Sequence, residues 1–188
     1  ERHWPGPTLW ANRMQDWVVR DGELHALSGS GLPCRTAHLL THQLGDRPQP
    51  FRLEVVVLPP GDGSTGFAGF LVGAGAGQLD YRGASLVHHP PGRGGGILAV
   101  LETTGGGRLS FRDMSREDTR EYVAFPGQKE LANEPIRLDY NRMMLNLEGI
   151  PRGLDEYDLR FSVWSQQAKK HLGAVELTGV PAEKLRGN

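Results

Sequence analysis

Apolar and polar residues alternate in short bursts along this chain, and glycine or proline cuts off each burst. Phe51-Arg-Leu-Glu-Val-Val-Val-Leu58 runs into Pro59, Pro60 and Gly61, and Gly66-Phe-Ala-Gly-Phe-Leu-Val-Gly73 follows it. Ala84–His88, Gly96–Leu101 and Leu109–Asp113 repeat the theme. Further on come Ile136–Tyr140, Met143–Leu147, Tyr157–Trp164 and His171–Thr178. In the third of these, Tyr157, Leu159, Phe161 and Val163 alternate with Asp158, Arg160 and Ser162, the pattern of a strand with one face buried. Strands of this length between turn formers predict an all-β, antiparallel β-sandwich.

The N-terminal part fits the same scheme. Trp10–His25 reads as two strands around Asp21-Gly22, a pair that tolerates the positive φ of a tight hairpin turn. His38–Leu44 reads as another strand with His38, Leu40 and His42 on one face. Ser115–Tyr122 is polar and opens on a capping residue type, so it predicts one short helical or loop insertion. Ser165–Lys170 reads as a polar hairpin connection and Pro181–Leu185 as one helical turn. Neither an internal repeat nor a linker interrupts the pattern, so residues 1–188 read as a single sandwich domain.

Composition changes this picture little. The 188 residues suffice for a sizeable core, and 26 glycines and 13 prolines spread between apolar runs supply turns. A formal charge of −1 with no Lys/Arg cluster argues against a nucleic-acid partner. No apolar run is long enough for a membrane span. Cys34 is the only cysteine, which rules out an intramolecular disulfide and suits a small packed side chain.

Catalytic patterns find little support. Gly73-Ala-Gly-Ala-Gly77 misses the dinucleotide fingerprint by one position and precedes no helical pattern, so it reads as a sheet connection. On a strand, His38 and His42 would sit about 13 Å apart at ~3.3 Å per residue, too far to share one ion. No metal and no cofactor is expected, and calcium is not indicated. The paired carboxylates of glycoside hydrolysis are missing as a strand motif: Glu54 stands alone in an apolar strand and Asp155-Glu156 fall in a loop. Aromatics are the remaining handle. Trp4, Trp10, Trp17 and Trp164 could stack on sugar rings, although an indole in such a sandwich more often belongs to the interior. Polar residues at strand ends that would line a ligand groove are Asp80, Tyr81, Arg82, His88, Glu102, Arg112, Asp113 and Asn141.

Trp17-Val-Val-Arg-Asp-Gly-Glu-Leu24, Thr41–Leu44 and Phe51-Arg-Leu-Glu-Val55 resemble the opening of concanavalin A-like, laminin G-like jelly-roll domains. Gly69–Gly75, Leu79–Arg82 and Gly94–Ala99 are similar to a narrower group, the N-terminal sandwich domain of some secreted bacterial proteins of the alkaline phosphatase D (metallophosphoesterase) family. The resemblance implies a secreted or periplasmic, non-catalytic accessory module that binds carbohydrate or packs on an attached phosphatase or hydrolase domain. It also implies one more strand after Leu185–Asn188 to close the sandwich. None of that family's metal-binding motifs is present, so no phosphatase residue carries over. A second resemblance, through the shared hairpin, is to 3-keto-glycoside hydrolase sandwiches; it implies an enzyme using His88, Asp80 and Glu102 in the groove. A purely structural interaction domain is the third expectation.

Overall fold

The computed structural model describes residues 1–3, 6–11, 13–27, 35–58, 66–76, 80, 92, 94–104, 106–118, 123–131, 135–138 and 142–187. Its strands run in chain order β1 (Leu9–Ala11), β2 (Trp17–Arg20), β3 (Glu23–Ala26), β4 (Ala37–Leu39), β5 (Phe51–Val57) and β6 (Phe67–Val72). There follow β7 (Ile97–Glu102), β8 (Arg108–Asp113), β9 (Lys129–Glu130), β10 (Met143–Arg152), β11 (Glu156–Ser165) and β12 (Lys170–Pro181). Short 3-10 turns at Met14–Asp16 and Ala182–Leu185 are the helical elements among the described residues. The fold is all-β.

Two antiparallel sheets form the sandwich. One has the order β5-β10-β11-β12-β9 and the other β6-β7-β8, while β1-β4 and β2-β3 form separate ribbons. The long strands β10, β11 and β12 follow one another as hairpins, and both turns are marked by positive φ, at Gly153 and Lys169. Inward positions of β11 carry Tyr157, Leu159, Phe161 and Val163, all buried, as the alternation predicts. Phe161 meets Phe70 of β6 and Phe111 of β8 across the sheets in tilted edge-on contacts, with centroids 6.2 and 6.4 Å apart. Such pairs add to the area they bury. Gly149 explains itself in the same core: a Cβ there would collide with the ring of Phe51, its partner in β5. Tyr157 completes the corner. Its hydroxyl donates to the Gln49 carbonyl at 3.0 Å and accepts from the Gln49 amide at 2.8 Å, which fixes the approach to β5.

Residues 123–131 strap the sandwich along one side. The Phe125 amide donates to the Phe111 carbonyl of β8 at 2.7 Å, and β9 then pairs with β12 of the other sheet. The connection after β6 is equally tight. Gly73 has φ +80°, and a side chain there would collide with the backbone of Lys184, so the glycine run serves as a close-packed sheet connection.

Several expectations are corrected. The strand in the His38–Leu44 region ends at Leu39, where Leu40 and Thr41 turn, and Leu44 makes only an isolated bridge to Gly187. His38 is buried against Trp10 rather than sharing an exposed face with His42. Of the two alternatives for Ser115–Tyr122, residues 115–118 take the loop, with Ser115 spending its hydroxyl on Asp113 and Lys184 instead of capping, and 119–122 lie outside the described residues. Residues 136–138 form no strand beyond the single bridge between Ile136 and Gly107. Glu156 begins β11, so the loop holds only Gly153–Asp155. The turn at Asp21-Gly22 is as expected, with φ of 53° and 82° and Arg20 paired with Glu23, but the strand before it starts only at Trp17, and Trp10 belongs to β1, which pairs with β4.

Candidate ligand-binding face

Of the residues expected to line a groove, Tyr81, Arg82, His88 and Asn141 lie outside the described residues, as do Trp4 and Cys34. Asp80 is described and exposed. The other three divide between two places because neighbouring positions of a strand point to opposite faces.

Glu102 of β7 and Arg112 of β8 come together on the outward face of the three-stranded sheet, in an ion pair to which Ser110 Oγ adds a hydrogen bond at 3.1 Å. In register Arg112 stands opposite Leu98, and Glu102 opposite Arg108. Arg112 therefore spans the row holding Val100 and Ser110 to reach the carboxylate. Its guanidinium also lies 5.9 Å from the centre of the Phe67 ring. Held this way, Glu102 serves as an anchor for Arg112.

Asp113 turns to the other face. Its Oδ2 accepts from Lys184 Nζ at 2.9 Å, and its Oδ1 accepts from the Ser115 amide and hydroxyl at 3.0 and 2.6 Å. Burial pushes the Asp113 carboxyl up, but the hydrogen bonds from Ser115 and Lys184 outweigh it and hold the group below its ordinary range. Lys184 also donates to Ser115 Oγ at 2.6 Å. Lys184 thus bridges Asp113 and Ser115, and the trio is a latch from β8 to the C-terminal 3-10 turn. Among the described residues no group of three or more His, Cys, Asp or Glu side chains is placed to hold a metal ion.

The outward face of the five-stranded sheet has a different character. Register aligns its side chains in rows across the strands. One row is Val56, Met144, Trp164 and His171; the next is Glu54, Asn146, Ser162 and Ala174; the third is Arg52, Glu148, Arg160, Glu176 and Lys129. A bulge in β12 between Gly173 and His171 brings the imidazole opposite Trp164, where strict pairing would have put Leu172. The rings stand edge-on with centroids 4.8 Å apart, and Trp164 remains 37% exposed.

Beside the indole, Asn146 is only 6% exposed, although it faces outward. Its Nδ2 donates to Glu148 at 3.3 Å, while its Oδ1 has no partner among the described residues. His171 Nε2 is likewise buried and without a partner among the described residues. Burial first, and then the Arg160 guanidinium, hold the imidazole below its ordinary pKa, so it is neutral at pH 7. Buried polar atoms are normally paired, so these two are exceptions packed beneath this face.

The sequence names Trp164 only as one of four tryptophans, and it passes over Asn146 and His171. Asn146 hides in Met-Met-Leu-Asn-Leu, where an outward Met144 masks the alternation. Its parity with Glu148 is the signal that would have found it.

Comparison of the chain with protein-family models, with curated proteins and with solved structures finds no match.

Proposed function

We propose that this chain is a non-catalytic, lectin-like accessory module, of the exported concanavalin A-like jelly-roll kind, that binds carbohydrate on the outward face of its five-stranded sheet. The observation that supports this reading is Trp164, a large aromatic 37% exposed near the end of the central strand β11, with the His171 ring edge-on against it. A pyranose ring presents an apolar C–H face to an indole and hydroxyls to the polar groups around it. The resemblance to sandwich domains joined to metallophosphoesterases supports a module that works beside a catalytic domain.

Packing on such a domain is the second reading. Val55, Val56 and Leu58 support it, since all three are exposed at one end of β5. Titration calorimetry of the chain against a polysaccharide panel separates the two. Binding is expected with at least one glycan, and Trp164→Ala should weaken it at least about ten-fold, as loss of a stacking aromatic does at a binding hot spot. Absence of heat with every glycan would overturn the carbohydrate reading.

A further inference from the structure

We infer that β5, the outer strand of the five-stranded sheet, pairs antiparallel with β5 of a second copy of this chain about a two-fold axis at Leu53. The pairing joins two five-stranded sheets into one continuous sheet. It stands on the edge strand alone and does not depend on the carbohydrate-binding reading above.

The two edges of that sheet differ. At one edge β9 is two residues long, and both of them, Lys129 and Glu130, are charged, which is how natural sheets protect an edge. At the other, β5 runs for seven residues, contains no proline and pairs with β10 from Phe51 to Val57 without a register shift. Among the described residues nothing pairs with its outer side. Val55 shares the parity of Phe51, Leu53 and Val57, which pack on the core, yet it is 39% exposed. A long, straight, partly apolar edge is a template for another strand.

The sequence of β5 selects itself as that strand. A two-fold axis perpendicular to the sheet keeps inward residues opposite inward residues, so it passes through a residue and not between two. With the axis at Arg52 or Glu54, like charges would stand opposite each other, which destabilises a strand pair. With the axis at Val55 or Val56, Glu54 would face Val56 or Leu58. At Leu53, Arg52 of each copy opposes Glu54 of the other, and Phe51 opposes Val55. Arg52 already pairs with Glu54 along its own strand, so the four charges form a square of alternating sign. The Phe51 rings cover the exposed valines on the inward face. Both Trp164 side chains then look to the same side of the joined sheet.

Sedimentation equilibrium of the full chain across the micromolar range is the test. The parent should approach twice its 20.6 kDa as concentration rises. Arg52→Glu and Glu54→Arg each set like charges across the axis and should weaken dimerisation at least about ten-fold. Their side chains are 58% and 44% exposed, so the thermal midpoints should hold. An equimolar mixture of the two variants should recover the dimer, because each chain offers the charges that the other lacks. If either single variant does not fold, the double variant Arg52→Glu/Glu54→Arg, which reverses both signs, should dimerise like the parent. A parent that stays monomeric at the highest concentration would overturn the inference. So would a dimer that both single variants leave intact, or a mixture that remains monomeric. The carbohydrate reading is untouched by each of these outcomes.

Discussion

The two sheets of this sandwich share one core but treat their outward faces in opposite ways. On the five-stranded sheet the outward positions of β5, β10, β11 and β12 carry Arg52, Glu148, Arg160 and Glu176, a row of alternating sign that belongs in water. On the three-stranded sheet the outward positions hold Leu71, Leu98 and Val100, and with Met114 they form a second small apolar cluster. Strand β7 is thus buried on both faces and reads as the unbroken run Ile-Leu-Ala-Val-Leu, whereas β11 alternates. Continuous and alternating runs report different surroundings within one antiparallel fold. The face that alternates is the one free to present Trp164.

The sharpest way to break this contrast is to place the same charge on both outward faces. Val100 is 1% exposed and Val56 is 41% exposed, yet both point away from the shared core. Val100→Asp should cost about 4 kcal/mol or prevent folding, because it buries a carboxylate in an apolar cluster whose neighbouring guanidinium, Arg112, is already held by Glu102. Val56→Asp should cost less than about 1 kcal/mol. Urea unfolding of the two variants measures the difference. Equal losses would mean that the outward faces are alike and that the second apolar cluster is a minor feature.

A smaller effect sharpens the comparison at the place where β8 meets the C-terminal turn. Asp113 is held below its ordinary pKa by the hydrogen bonds of Ser115 and Lys184 against the opposing effect of burial. A carboxyl whose pKa is lower in the folded than in the unfolded chain contributes stability that is fully present above the unfolded value, near 4, and is lost as pH falls through the folded one. Asp113→Asn should therefore cost about 2 kcal/mol at pH 7, in the range of hydrogen bonds to charged groups. Below pH 4 the gap between the variant and the parent should close. Unfolding free energies at pH 7, 5 and 3 test the sign, and a gap that stays constant down to pH 3 would remove the ionised latch.

How much of this was readable beforehand follows from the range of the interactions. Periodicity within a strand is local, so Tyr157–Val163 declared both its strand and its inward side, and Asp21-Gly22 declared its turn. The His38–Leu44 strand failed because its apolar spacing is also satisfied by three paired residues and a turn, and the pairing partner, β1, is a distant segment. Ser115 looked like a cap because its use by Lys184, 69 residues away, is invisible in a local window. Glu102 and Arg112 read from the sequence as groove residues, and register joins them in an ion pair; strand parity alone turns Asp113, next in sequence, to the other face. The proposed ligand face is the least legible feature. Its rows depend on register among β5, β10, β11 and β12, and on one bulge that brings His171 to Trp164.

The finest comparison is between the two outward ion pairs. Arg112–Glu102 lies on the three-stranded sheet with side chains 19% and 31% exposed, and Arg160–Glu176 lies on the five-stranded sheet at 46% and 33%. Coulomb attraction and side-chain ordering nearly cancel for pairs in water, while partial burial and a shared hydrogen bond favour the attraction. A double-mutant cycle with Arg112→Ala and Glu102→Ala should give a coupling of about 1 kcal/mol, because Ser110 helps fix the carboxylate and the Phe67 ring flanks the guanidinium. The cycle on Arg160 and Glu176 should give no more than about 0.5 kcal/mol, and it should shrink further in 1 M salt as screening shortens to about 3 Å. A larger and salt-resistant coupling at Arg160–Glu176 would mean that the charged row is a rigid wall. The ion pairs would then themselves hold the outward face of the five-stranded sheet in shape, instead of forming a solvated surface beside Trp164.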